Sequence, residues 1–293
     1  GICSVANKDV TGKTVSKTRR GRLSGVAASS AGLLTLLTAL VIVFSPEVDG
    51  QRWLFLALLG AGVVLWLLAA VLYAGIPEVA GATEGGGNAV SEAVKSMSLL
   101  WKNGQFGHFV LTRALLVAAA FAIPYIVVLI QRQGDTELTS LGSLMLASGL
   151  AGLLAGRFWG RWSDSASHHV MAAASIMSTL VMAAALAIFY WAPNWLGLEW
   201  IAALLLFASA VAHHGARVGR KTYLVDMANQ ENRAQLTAVS NTVMGVVLLA
   251  GLLLGWVDAA FGAHAVLWLL VVVGVLATLS ALKLPEVSGD TSA

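Results

Sequence analysis

Long apolar runs, broken by short polar and basic stretches, dominate the chain. A bilayer-spanning helix needs about 20 mostly apolar residues. Eight segments meet that length, approximately at 24–44, 53–75, 109–130, 138–156, 170–192, 198–213, 236–257 and 263–282. The sixth has the shortest apolar stretch and is expected to continue into the polar residues that follow it. Closed barrels are the other architecture lipid allows. They need alternating strands of about ten residues, whereas these runs are continuous and twice as long. The pattern predicts an all-α integral membrane protein with eight transmembrane helices.

Composition supports lipid as the solvent. Of 293 residues, 58% are hydrophobic and 11% charged, against about 25% charged in a soluble domain. The basic N-terminal stretch before the first run resembles a signal peptide only superficially. Its apolar run is too long, and no small-residue cleavage site follows. The single Cys3 excludes an internal disulfide.

Loop charge orients the spans. Sixteen of the 18 basic residues fall on one side, leaving only Arg52 and Arg132 on the other. Basic loops stay cytoplasmic, so both termini are expected there, in a multi-pass cell membrane protein. Trp53, Trp159, Trp162, Trp191, Trp195, Trp200 and Trp256 lie near span ends, as interfacial anchors do.

The chain also repeats. A shift of 213 residues lays Val5, Lys8, Arg20, Leu23, Val26 and Gly32 on Val218, Lys221, Arg233, Leu236, Val239 and Gly245. Ile76-Pro77-Glu78 after the second span is echoed by Leu284-Pro285-Glu286 after the eighth. Six spans separate the copies, so the repeats run parallel, one recognised plan for transporters. The expected organisation is residues 1–78 as the last two spans of an N-terminal half, 79–107 as a cytoplasmic linker, and 108–293 as a six-span C-terminal half. Four N-terminal spans are then missing. Within the linker, a Gly-rich run at 85–87 precedes Val90, Val94, Met97 and Trp101 at helical spacing. That spacing predicts a short amphipathic helix on the inner membrane surface.

The segment Trp159-Gly160-Arg161-Trp162-Ser163-Asp164-Ser165-Ala166-Ser167-His168-His169 resembles the cytoplasmic signature loop of the major facilitator superfamily (MFS), Gly-x-x-x-Asp-Arg-x-Gly-Arg-Arg. Gly160 and Asp164 match, whereas Ser165, Ser167 and the His168-His169 pair depart from it. The segment 220–226, with Glu231-Asn232-Arg233 and Asn241, is similar to the approach to that family's penultimate span. The resemblance covers essentially the whole chain, as spans five to twelve of an MFS-type helical bundle. It implies secondary transport of a small solute by alternating access, possible coupling to a proton or sodium ion, and a latch formed by Gly160, Arg161 and Asp164. The signature carboxylate would face the start of the first span, with Arg20 and Arg22 as partners. No cofactor or nucleic acid is called for.

Several residues stand out, each with two readings. Arg113 lies a few residues inside the third span. An intramembrane charge marks function by default, but from one turn inside the interface it can equally snorkel to headgroups. Tyr125 follows Pro124 deep in the same span. A broken helix there serves either a binding site or a packed kink. Asn241, within Ser240-Asn241-Thr242, faces a cavity or bonds helices together. Arg113, Tyr125 and Asn241 are the substrate-cavity candidates. His168-His169 with Asp164 make a poor metal ligand set. His213-His214 form either a proton-sensitive pair or an interfacial cap. No Asp or Glu occupies the middle of any run, so a carboxylate proton carrier would belong to the missing spans. Two rival functions remain: a membrane-embedded enzyme working around Asp164, His168 and His169, and a non-transporting sensor of the same fold. No loop carries a nucleophile, base and orienter together, which disfavours the enzyme.

Overall fold

The computed structural model describes residues 2–44, 52–77, 96–133, 141–229 and 231–287. Among these the chain is helical, without strands. Seven helical stretches are long and apolar enough to cross a membrane. The helices are α1 (Ile2–Thr14), α2 (Lys17–Phe44), α3 (Arg52–Ala74), α4 (Leu99–Lys102), α5 (Gly104–Ala119), α6 (Ala122–Gln133) and α7 (Leu141–Trp191). After the 3₁₀ turn Pro193–Gly197 come α8 (Glu199–Met227), α9 (Arg233–Ala250), α10 (Leu253–Phe261) and α11 (Ala263–Leu282).

The eight expected runs and these seven stretches differ at α7. Its 51 residues would measure roughly 76 Å if straight, far beyond a hydrocarbon core of about 30 Å. Ala166 leaves helical geometry, with φ −159° and ψ 72°. Gly215 of α8 lies against both Trp159 and Ala174, which fifteen residues of straight helix would hold about 22 Å apart. Thus α7 doubles back near Ala166. Its two arms correspond to the fourth and fifth runs.

Two other runs are interrupted. The break between α5 and α6 has a local cause: Pro124 lacks the N–H that would bond the Ala120 carbonyl, and its ring crowds that carbonyl. The α9–α10 break falls at Gly251, whose open Cα face holds the ring of Phe121. The two interruptions therefore meet. The sixth run continues as helix through His213 and His214 to Met227, so neither histidine caps it. In the linker, Val90 and Val94 lie outside the described residues, and α4 covers only Leu99–Lys102.

Residues from α5 to α11 share the main core. One cluster joins Ile126, Ile130, Met182, Leu186, Leu196, Val266 and Leu267. A second, toward the basic end, joins Phe106, Phe109, Met171, Tyr223, Leu224 and Leu236. There Phe109 stacks on Tyr223 at 5.1 Å, and the Tyr223 hydroxyl donates to the Pro285 carbonyl at 3.0 Å. α2 joins this body along the first arm of α7. Gly25 meets Gly156 and Gly160, while Gly32 meets Gly149 and Gly152. Small residues at such spacing let two helix backbones approach closely. α3 differs: none of its Leu56–Ala74 stretch is buried.

Candidate functional site

Polar side chains concentrate where α1 and the start of α2 meet the turn of α7 and the ends of α8 and α9. Asp164 stands two residues before the turn at Ala166. Its carboxylate accepts from the backbone N–H of Gly21 and, at 2.9 Å, from that of Arg22. Both donors lie in the second turn of α2. A carboxylate near a helix N-terminus gains from the partial positive charge there. The fit depends on glycine: a Cβ on Gly21 would run into the Gly160 carbonyl and into Asp164 itself. Arg161 is exposed, and so is Arg22.

Arg20 does not bond Asp164. Its buried guanidinium donates through Nη1 to Asp226 Oδ1 at 2.8 Å and to the Val225 carbonyl at 3.2 Å. Nη2 donates to the Gly12 carbonyl at 2.8 Å and Nε to that of Val15 at 3.0 Å. Arg233, its repeat equivalent, donates through Nη2 to the Ala228 carbonyl at 3.3 Å. In both copies the arginine reaches a carbonyl five residues upstream, so the 213-residue shift holds at the level of bonding. Arg233 also lies 3.8 Å from Asp9 of α1, too long for a hydrogen bond, and its guanidinium covers Gly12. Asp226 and Arg233 carried no weight in the sequence reading as partners. The repeat was the available signal, because it set Arg233 on Arg20.

Arg113 and Asn241, singled out separately in sequence, are brought together. Arg113 donates to Ser240 Oγ and, through Nη2, to Asn241 Oδ1 at 3.0 Å. These neutral acceptors orient the guanidinium without cancelling its charge. Tyr125 is not part of that group. It is half-buried against the first core cluster, alongside Leu254 and Val257. A cleft between α5, α6, the second arm of α7 and α8 is lined by Ser175, Ser178, Ser209 and His213 among alanines. Lys8, on α1 and outside the apolar runs, is 8% exposed. Burial, then the charges of Arg113, Lys221 and Arg220, pull its amine down to about 7. His168 Nδ1 lies 3.1 Å from Glu286. No group of three metal-ligating side chains occurs among the described residues.

The polar residues offered in sequence as facing missing spans are divided. Ser29 is buried and donates to the Leu153 carbonyl of α7 at 3.0 Å. Thr35 and Thr38 bond back to their own helix, and Ser30 is exposed.

No match was found among curated proteins. The profile of the Major Facilitator Superfamily matches residues 2–212, a span that holds α1 to α7, the Asp164 turn and the first half of α8. With its apolar helices and signature-like turn, the chain belongs to the major facilitator superfamily, a family of multi-pass membrane transporters.

Proposed function

We propose that the protein is a secondary active transporter moving a small solute by alternating access, with eight membrane crossings and both termini cytoplasmic. The observation that carries this reading is the polar contact between the α1–α2 segment and the α7–α9 region at the basic end. Asp164 on the α2 amides and Arg20 on Asp226 are few, polar and directional. Contacts of that kind can hold one side closed and release it when two bodies rock. Asp164, with Gly160 beneath it, acts as the latch, and Arg22 supplies an amide and a nearby charge. Arg20 acts as a second tie, through Asp226. Arg113 and Asn241 face the solute path, and Tyr125 borders it nearer the other end. A proton or sodium gradient supplies the energy.

The chain divides into residues 1–78 and 108–293 around a linker, and corresponds to spans five to twelve of twelve. The repeat supports this, since it sets two spans against the last two of six. The bare surface of α3 also agrees with further helices alongside it. The enzyme reading is weaker, because Asp164 is held by amides and His168 by Glu286. The test compares proteoliposomes holding residues 1–293 with others holding the chain completed by four upstream spans. Gradient-driven, saturable uptake is expected from the completed form alone. Uptake by the short form would refute the division, and uptake by neither under proton or sodium gradients would refute transport.

A further inference from the structure

Beneath the latch lies a concentration of positive charge that the contacts above do not neutralise. Arg217, Arg220 and Lys221 occupy positions i, i+3 and i+4 on α8 and so share one face. Arg113 of α5 and Lys8 of α1 lie within electrostatic reach of Arg220 and Lys221. No ion pair links Lys8, Arg113, Arg217, Arg220 or Lys221 to a carboxylate among the described residues, where the acids Asp9, Asp226, Asp258 and Glu286 pair with other groups. Arg113 Nε and Asn241 Nδ2 are buried donors without a hydrogen-bond partner there. Buried donors are ordinarily satisfied, and unpaired charge taken from water is costly. The two orphaned donors and the buried Lys8 are answered by no anionic group, while Arg220 is half-buried and Lys221 exposed.

The serine-lined cleft is a neighbour of these cations, none of which lines it. His213 forms part of its wall and lies within reach of Arg220, two turns along the same α8 face. Of its serines, Ser175 donates to the Gly274 carbonyl at 3.0 Å and Ser209 to the Leu205 carbonyl at 2.7 Å.

We infer that this basin binds a small anionic solute carrying a phosphate or carboxylate group, with Arg113 and Arg220 as its principal contacts and Lys8 and Lys221 closing the charge balance. A guanidinium fork matches either group with paired hydrogen bonds. The Arg113 bonds to Ser240 and Asn241 hold that fork in place while leaving Nε free. Arg217 and Lys221 are exposed; Arg217, a turn before Arg220 on α8, acts at longer range. The inference rests on the transport reading for its role, but binding is measurable apart from transport.

The test is thermal unfolding of the whole chain in nanodiscs of zwitterionic lipid, followed by tryptophan fluorescence. Inorganic phosphate and succinate are titrated against chloride at constant ionic strength. A ligand that binds only the folded form raises its stability as it saturates. At least one anion is expected to raise Tm saturably, by about 3 °C or more at a hundredfold excess over its half-saturating concentration. Arg220→Gln should raise that concentration tenfold or more, while its unliganded Tm stays at or above the parent's, because a crowding cation is gone. Arg113→Gln also loses bonds to Ser240 and Asn241, so Lys8→Gln serves as the second variant, with a weaker shift in the same direction. Three results would overturn the inference: no saturable shift in the folded parent; an undiminished shift in the Arg220→Gln, Lys8→Gln double variant; or stabilisation only when phosphatidylglycerol is added, which would make the occupant a lipid headgroup. Anion binding without uptake by the completed protein would uphold the inference and count against transport.

Discussion

Arg20 and Asp226 form an ion pair whose side chains are 7% and 0% exposed. Removing one partner of such a pair strands the other charge, at a cost of about 3–5 kcal/mol. Arg20→Gln is therefore expected to lower thermal stability markedly. Arg20→Gln combined with Asp226→Asn should recover much of the loss, because neither charge is then stranded. A double-mutant cycle of unfolding in detergent checks this; additive losses would mean that the pair is not coupled. Asp164 differs, since its partners are backbone amides that no substitution removes. Asp164→Ala deletes two charge-assisted hydrogen bonds, each worth about 1.5–3 kcal/mol. The variant should open the basic end more often, seen as faster labelling of a cysteine replacing the buried Ser163 beside position 164. Unchanged labelling would deny Asp164 a latching role.

At the scale of elements, the α2–α7 contact is made of glycine backbone. A Cβ at Gly25 would strike the Gly156 carbonyl, so Gly25→Leu must push the helices apart. Gly60 of α3 has nothing within 4 Å of its added Cβ. Gly60→Leu should leave stability unchanged within about 0.5 kcal/mol, whereas Gly25→Leu should cost several times more, as read from unfolding midpoints in the same detergent. Equal effects would show that the α2–α7 seam is not a structural contact. The paired breaks invite a similar comparison. Pro124→Ala restores an N–H for the Ala120 carbonyl and is expected to straighten α5 into α6. Phe121 would then be drawn off Gly251, a change visible as altered protease or labelling access near position 251.

For the whole molecule, orientation follows from charge. Cysteines placed at Glu47 and Asp135 are expected to react with an impermeant reagent from outside, and one at Gly86 only after the membrane is opened. The reverse pattern would invert the topology. The body from α5 to α11 carries its own core, whereas α3 buries nothing along Leu56–Ala74. Stability should therefore be uneven. Hydrogen exchange is expected to be slow around Met182, Leu186 and Leu267 and faster along α3, even within lipid.

Much of the architecture was legible in the sequence because lipid imposes a coarse rule. A span must be long, apolar and helical, so run length reveals spans, and the distribution of lysine and arginine assigns the sides. Pro124 marked the break in its helix, and the 213-residue repeat anticipated that Arg20 and Arg233 are equivalents. Pairing was not legible. Asp226 reads as one more loop carboxylate until α8 carries it beside Arg20, and Arg113 reads as a snorkelling cation until Ser240 and Asn241 come within reach. The reversal between the fourth and fifth runs was legible as a polar stretch, but its exact place at Ala166 was not, since neither glycine nor proline marks it. Apolar periodicity specifies that a helix is buried or lipid-facing. Which polar group meets which depends on how helices distant in sequence cross, and only the tertiary structure decides that.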